Sequence, residues 1–231
     1  MPTENSTNPL PPAPVGRGQY AEQDQQIEND ITEIAQRIQA VQGNAELAAL
    51  FAGRGYDAEA LQAGLDLQAA AQAAFTARQT ALGAKGLASA AHSGAYLTAY
   101  QMYADFRETA RAVFTASGDR SALSINSLIP KDTQKFITLA RASYSAAQNE
   151  PYKTTLAKYG YPAAGLAAAL DALNAYAAAF QSHTDGQGDA RKATADRNAA
   201  YTALVTWDKQ FRKIAKVAVR TRPDLAKKLN L

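Results

Sequence analysis

The chain has 231 residues, with 24 Lys and Arg against 21 Asp and Glu for a net charge of +3, 47 % hydrophobic residues and no cysteine. Without cysteine there are no disulfides, thiolate metal sites or cysteine nucleophiles in this sequence, and the redox compartment is left open. Ala, Leu, Gln, Lys and Arg dominate, Val and Ile are scarce and strand-like alternation is absent, so the composition predicts an all-α fold.

Residues 1–20 carry Pro9, Pro11, Pro12 and Pro14, which forbid regular helix and favour an extended arm. Such a segment is either a free tail or an arm that docks on a neighbouring subunit. It lacks the apolar centre of a secretory signal. A helix is expected over residues 21–42, where Ile27, Ile31, Ile34, Ile38 and Val41 recur at three- and four-residue steps. Its polar face holds Glu22, Asp24, Glu28, Asp30 and Glu33, and Gly43 ends it. A short helix over 46–52 closes at Gly53 and Gly55, glycine being the usual residue for a left-handed helix end.

Asp57 then caps a helix to about residue 82, and Gly83 and Gly86 are read as a turn into a helix over 87–117 that Gly118 stops. After a linker containing Pro130, Asp132 caps a helix to residue 148 with Phe136, Leu139, Ala140 and Tyr144 facing inward. Pro151 opens a short helix. Pro162 starts one over 163–183, Gly186 and Gly188 make a turn, and a last long helix covers 189–221 before Pro223 and a terminal turn. Leu204, Trp207, Phe211, Ile214 and Ala218 form an a/d seam on that helix, matched by Met102, Phe106, Ala110 and Val113 earlier.

The second half repeats the first. GYDAEALQAGLDLQAAAQAAF at 55–75 returns without insertion as GYPAAGLAAALDALNAYAAAF at 160–180, and the offset of 105 also pairs Tyr96 with Tyr201 and Phe106-Arg107 with Phe211-Arg212. One copy spans about 26–126 and the other about 131–231. The expected organisation is an arm at 1–20, a helical repeat at 21–126 and a second at 127–231. Together they make an internally duplicated antiparallel bundle, pseudo-twofold or tandem.

Two charged positions recur in both copies: Asp66 with Asp171, and Arg107 with Arg212. They are read as structural Asp–Arg pairs, Asp66 with Arg107 and Asp171 with Arg212, that fix helix register, because partly buried charges need partners. His92 and His183 face Arg197 and Arg78 at the same offset, so they are read as solvated basic positions rather than metal ligands. No phosphate-loop, dinucleotide-binding or nucleophile-elbow pattern occurs, and no metal or other cofactor is expected.

Charge is uneven between the copies. Residues 26–126 carry a net of −3 and residues 131–231 a net of +8. Lys209, Arg212, Lys213, Lys216 and Arg220 form a stripe, read as a solvated face, as a complement to the acidic face of 21–42, or as a site for DNA, RNA or another polyanion. The expected function is a non-enzymatic structural protein that self-associates through Ala-rich and charge-complementary helix faces into a homo-oligomer, particle or filament. The alternatives are a polyanion-binding module and an amphipathic coat on an apolar surface. With neither a secretory signal nor a transmembrane segment expected, the default location is cytoplasmic.

Overall fold

The computed structural model describes residues 17–229, with side chains from residue 22 onward. The proline-rich arm expected over 1–20 therefore lies outside the described residues as far as residue 16. Every regular element among the described residues is a helix: α1 Arg17–Gln42, α2 Ala45–Ala52, α3 Ala58–Val113, α4 Ser117–Ala122, α5 Thr133–Ala147, α6 Tyr152–Ala157, α7 Ala163–Ala218 and α8 Pro223–Lys228.

The helix starts follow local capping chemistry. Asn44 accepts from the backbone N–H of Glu46 and of Leu47, each at 3.1 Å. Asp57 accepts from Ala60 N–H at 2.9 Å, and Asp132 from Lys135 N–H at 2.8 Å. Gly55 (φ 83°) and Gly160 (φ 88°) adopt the left-handed conformation, which lets Tyr56 N–H reach back to Phe51 O and Tyr161 N–H to Leu156 O, both at 3.0 Å.

Four other glycines do not turn the chain. Gly83 and Gly86 lie inside α3, and Gly186 and Gly188 inside α7; each of these helices runs unbroken for 56 residues. The expected breaks at these glycines are thus corrected. A glycine in a helix interior costs only about 1 kcal/mol relative to alanine, and none of the four has a proline beside it to turn that cost into a stop.

Continuity of the long helices changes what folds with what. The chain forms two compact units, one from the residues up to Arg78 together with those from Ala193, the other from Gln79–Lys192. The first unit therefore draws on residues from both sides of position 126, and the second spans it. The boundaries 21–126 and 127–231 do not delimit the compact units.

In the first unit the α1 stripe Ile27, Ile31, Ile34, Ile38 and Val41 is buried with Leu47 and Phe51 of α2, Leu61 and Phe75 of α3, Leu204, Phe211 and Ala215 of α7, and Leu225 of α8. Phe51 stacks on Phe211 at 5.1 Å, Phe211 on Trp207 at 5.1 Å, and Tyr56 meets Trp207 edge-on at 5.7 Å. Gly64 is required here: a β-carbon on it would lie 2.4 Å from the Trp207 ring.

The second unit buries Tyr103, Phe106 and Ala110 of α3 with Phe136, Ile137, Ala140 and Tyr144 of α5, Leu156 of α6, and Leu166, Leu173 and Tyr176 of α7. Tyr103 and Ser143 share a buried hydrogen bond of 3.1 Å. Phe106 packs on Tyr161 at 5.5 Å, and Gly186 approaches the Lys85 backbone with room for a β-carbon at 3.6 Å.

Candidate functional site

Ionisable groups in the first unit are organised around α1. Arg37 (6 % exposed) pairs with Asp208 (6 % exposed) of α7 and with Glu33 one turn earlier on its own helix, the latter at 3.2 Å. Asp24 takes Arg78 of α3 at 2.6 Å and Arg197 of α7 at 3.1 Å, holding two almost fully buried guanidinium groups with one carboxylate. Burial and the neighbouring Arg78 lower the Arg197 pKa from its ordinary value, against the opposing pull of Asp24. Tyr201 donates to Asp30, and burial, followed by that bond, pushes its hydroxyl up to about 12.

These contacts engage three of the five acids that the sequence offered as a complement to the basic stripe, leaving Glu22 and Glu28 exposed. Asp24, Asp30 and Glu33 pair with Arg78, Arg197, Tyr201 and Arg37 rather than with Lys209, Arg212, Lys213, Lys216 or Arg220. Among the described residues no side-chain hydrogen bond or ion pair engages any of these last five. Lys209, Lys213, Lys216 and Arg220 are exposed, and Arg212 is half-buried. On an α-helix, steps of four, three and four residues hold them within an arc of roughly 100°. Nearby, Arg222 is differently employed, donating to Glu46 and to Asp224, which raise its pKa and lower that of Asp224.

The expected Asp66–Arg107 and Asp171–Arg212 pairs do not form. Asp66 and Arg107 lie about eleven turns apart on one uninterrupted helix, and Asp171 and Arg212 are separated in the same way on α7. Asp66 instead accepts from Gln62 at 2.9 Å, and Arg107 donates to Ser127 O at 2.5 Å. Both pairs had presupposed the turns that α3 and α7 do not make.

His92 and His183 are not solvated basic positions either. In the second unit their rings stack at 5.0 Å with 13° between planes, His92 also stacks on Tyr176 at 5.4 Å, and Gln187 contacts His183 Nε2 at 3.0 Å. Burial, then the neighbouring His183, lowers the His92 pKa below the ordinary imidazole value. Arg78 and Arg197, which stand 105 positions from His183 and His92, are bridged by Asp24 in the first unit. The fixed offset could have exposed this correspondence, but helix register set by imagined turns hid which residues meet.

Among the described residues no group of three or more His, Asp or Glu is placed to hold a metal ion. Nor does a carboxylate pair or a nucleophile–base pair emerge from the contacts above. What remains chemically available is a row of unpaired cations and, on α3, a stretch without charge. From Gly86 to Ala104 no charged residue occurs, and Leu87 (76 % exposed), Leu97 (53 %), Tyr96 and Tyr100 stand at the surface. By length and composition alone, α7 is long and apolar enough to cross a membrane.

No known family's sequence profile matches the chain, and neither a curated protein nor a solved structure is significantly similar to it.

Proposed function

We propose that the chain is a non-enzymatic structural protein, built from two fused copies of one helical segment of about 100 residues, that self-associates through uncharged helix faces. The duplication is supported by the bounds of α3 and α7, which differ by 105 positions at both ends, and by the shared left-handed glycines Gly55 and Gly160. An antiparallel run of α3 against α7 within each unit is supported by the order of contacts. In the first, Tyr56 meets Phe211 and Gly64 meets Trp207. In the second, Phe106 meets Tyr161 and His92 meets His183.

One observation carries the self-association: the uncharged surface of α3 between Lys85 and Asp105, where Tyr96, Leu97 and Tyr100 are exposed within an arc of roughly 100°. Extended exposed apolar surface on a helix marks a contact site. Because that face is uncharged, its assembly persists in high salt, unlike one held by opposed charge. The test is sedimentation over a range of concentrations at low and high salt, with the wild type and a Tyr96→Glu, Leu97→Glu variant. Salt-resistant assembly that the variant abolishes supports the reading, and a monomer under every condition removes it.

The apolar length of α7 favours one second reading, a coat on an apolar surface. Flotation of the chain with vesicles of neutral lipid separates the two, since self-association alone does not carry protein to the lipid fraction. A cytoplasmic location accompanies the first reading only.

A further inference from the structure

We infer that the face of α7 bearing Lys209, Arg212, Lys213 and Lys216, continued by Arg220 in the turn that closes the helix, binds the phosphodiester backbone of duplex nucleic acid without reading its sequence. This is a different surface from the uncharged one on α3 and stands independently of it.

The stripe has no structural employment. Among the described residues no carboxylate pairs with it: Asp208, the acid within its span, is turned into the core against Arg37, and Asp24, Asp30 and Glu33 of α1 pair elsewhere. Like charges three and four residues apart on a helix destabilise it. Lys209 with Arg212 and Lys213, Lys213 with Lys216, Arg212 with Lys216, and Lys216 with Arg220 all stand at such spacings. The helix dipole accounts for part of this, since cations favour a helix C-terminus, but that effect fades within the last turn. Lys209 and Lys213 lie beyond its reach.

A polyanion relieves the repulsion, and the geometry favours one kind. The row from Lys209 to Arg220 runs about 16 Å along the helix, against duplex DNA that carries one negative charge per ~1.7 Å of axis. An anionic membrane fits less well, because an interfacial helix also inserts an apolar face. The apolar face of α7 here is buried through Leu204, Phe211 and Ala215, which leaves Val217 as the exposed large hydrophobic of that segment. Among the described residues no aromatic ring is exposed beside the stripe to stack on unpaired bases, so the duplex backbone, not single strands, is the partner.

The experiment follows fluorescence anisotropy of a labelled duplex of about 20 base pairs, titrated with the full chain in ~50 to ~200 mM KCl. Four neutralised phosphates give a slope of log affinity on log salt near −3.6, a loss of roughly 100-fold across that range. Lys213→Glu with Lys216→Glu is expected to weaken binding at least about tenfold and to flatten the slope. Lys153→Glu with Lys158→Glu, exposed in the other unit, leaves both unchanged. Circular dichroism of each variant establishes that the helices are intact, and Lys213→Arg with Lys216→Arg restores binding. Absence of binding at ~50 mM KCl, equal weakening by the two charge reversals, or tighter binding to phosphatidylserine vesicles than to the duplex overturns the inference.

Discussion

The closest packing in the first unit rests on one missing methyl group. Gly64 admits the Trp207 ring, whereas the positions 105 residues away from these two hold Ala169 and Met102, a larger residue and a slimmer one. Gly64→Ala is therefore expected to cost about 1–3 kcal/mol, read as a lowered urea midpoint, with partial recovery in Gly64→Ala, Trp207→Met. The Arg37–Asp208 pair is a second sensitive point, since Asp208→Ala leaves a guanidinium buried without its main partner. Urea unfolding should show a loss of roughly 3–5 kcal/mol. At His92 the folded-state pKa lies below the unfolded value, so the unfolded chain binds more protons as pH falls through about 6.5. Stability from this group is thus present above that pH and lost on acidification. Melts at pH 7.5 and pH 5 should differ less in His92→Gln than in the wild type.

Much of each short element was legible in the sequence. The α1 isoleucine stripe, the caps at Asp57 and Asp132, and the left-handed turn at Gly55 each depend on residues a few positions apart, and each stands where local chemistry places it. The long helices were not legible in the same way. Gly83 and Gly86 resemble a turn, and only the packing of each half of α3 into a different core makes the helix worth continuing. Every misplaced site follows from that one misreading, including the unmade Asp66–Arg107 pair and the histidine stack. The basic stripe, legible from spacing alone, gained its meaning only when Asp24, Asp30 and Glu33 proved to be engaged elsewhere. Continuity has its own test. A β-carbon on Gly83 or Gly86 meets nothing within 4 Å, so Gly83→Ala and Gly86→Ala should each stabilise by about 0.5–1 kcal/mol. In a true turn with left-handed glycines the same changes would destabilise.

For the molecule as a whole, the two compact units do not follow a division of the chain at residue 126. A fragment ending at residue 126 carries α1 and α2 without the α7 and α8 residues that bury Ile31, Ile38 and Phe51. Residues 17–126 expressed alone should therefore lack cooperative unfolding, whereas co-expression with residues 127–231 should recover a complex that co-purifies through a tag on either piece. Independent cooperative melting of both fragments as monomers would contradict this arrangement.

Because one unit is continuous from Gln79 to Lys192 while the other needs residues from both before and after it, synthesis imposes an order. The inner stretch is complete on the ribosome while the isoleucine-lined helix made first still waits, its greasy edge uncovered, for residues translated more than 150 positions later. Factors that shield nascent chains have their longest task at that early helix, and slow translation beyond Lys192 lengthens its exposure.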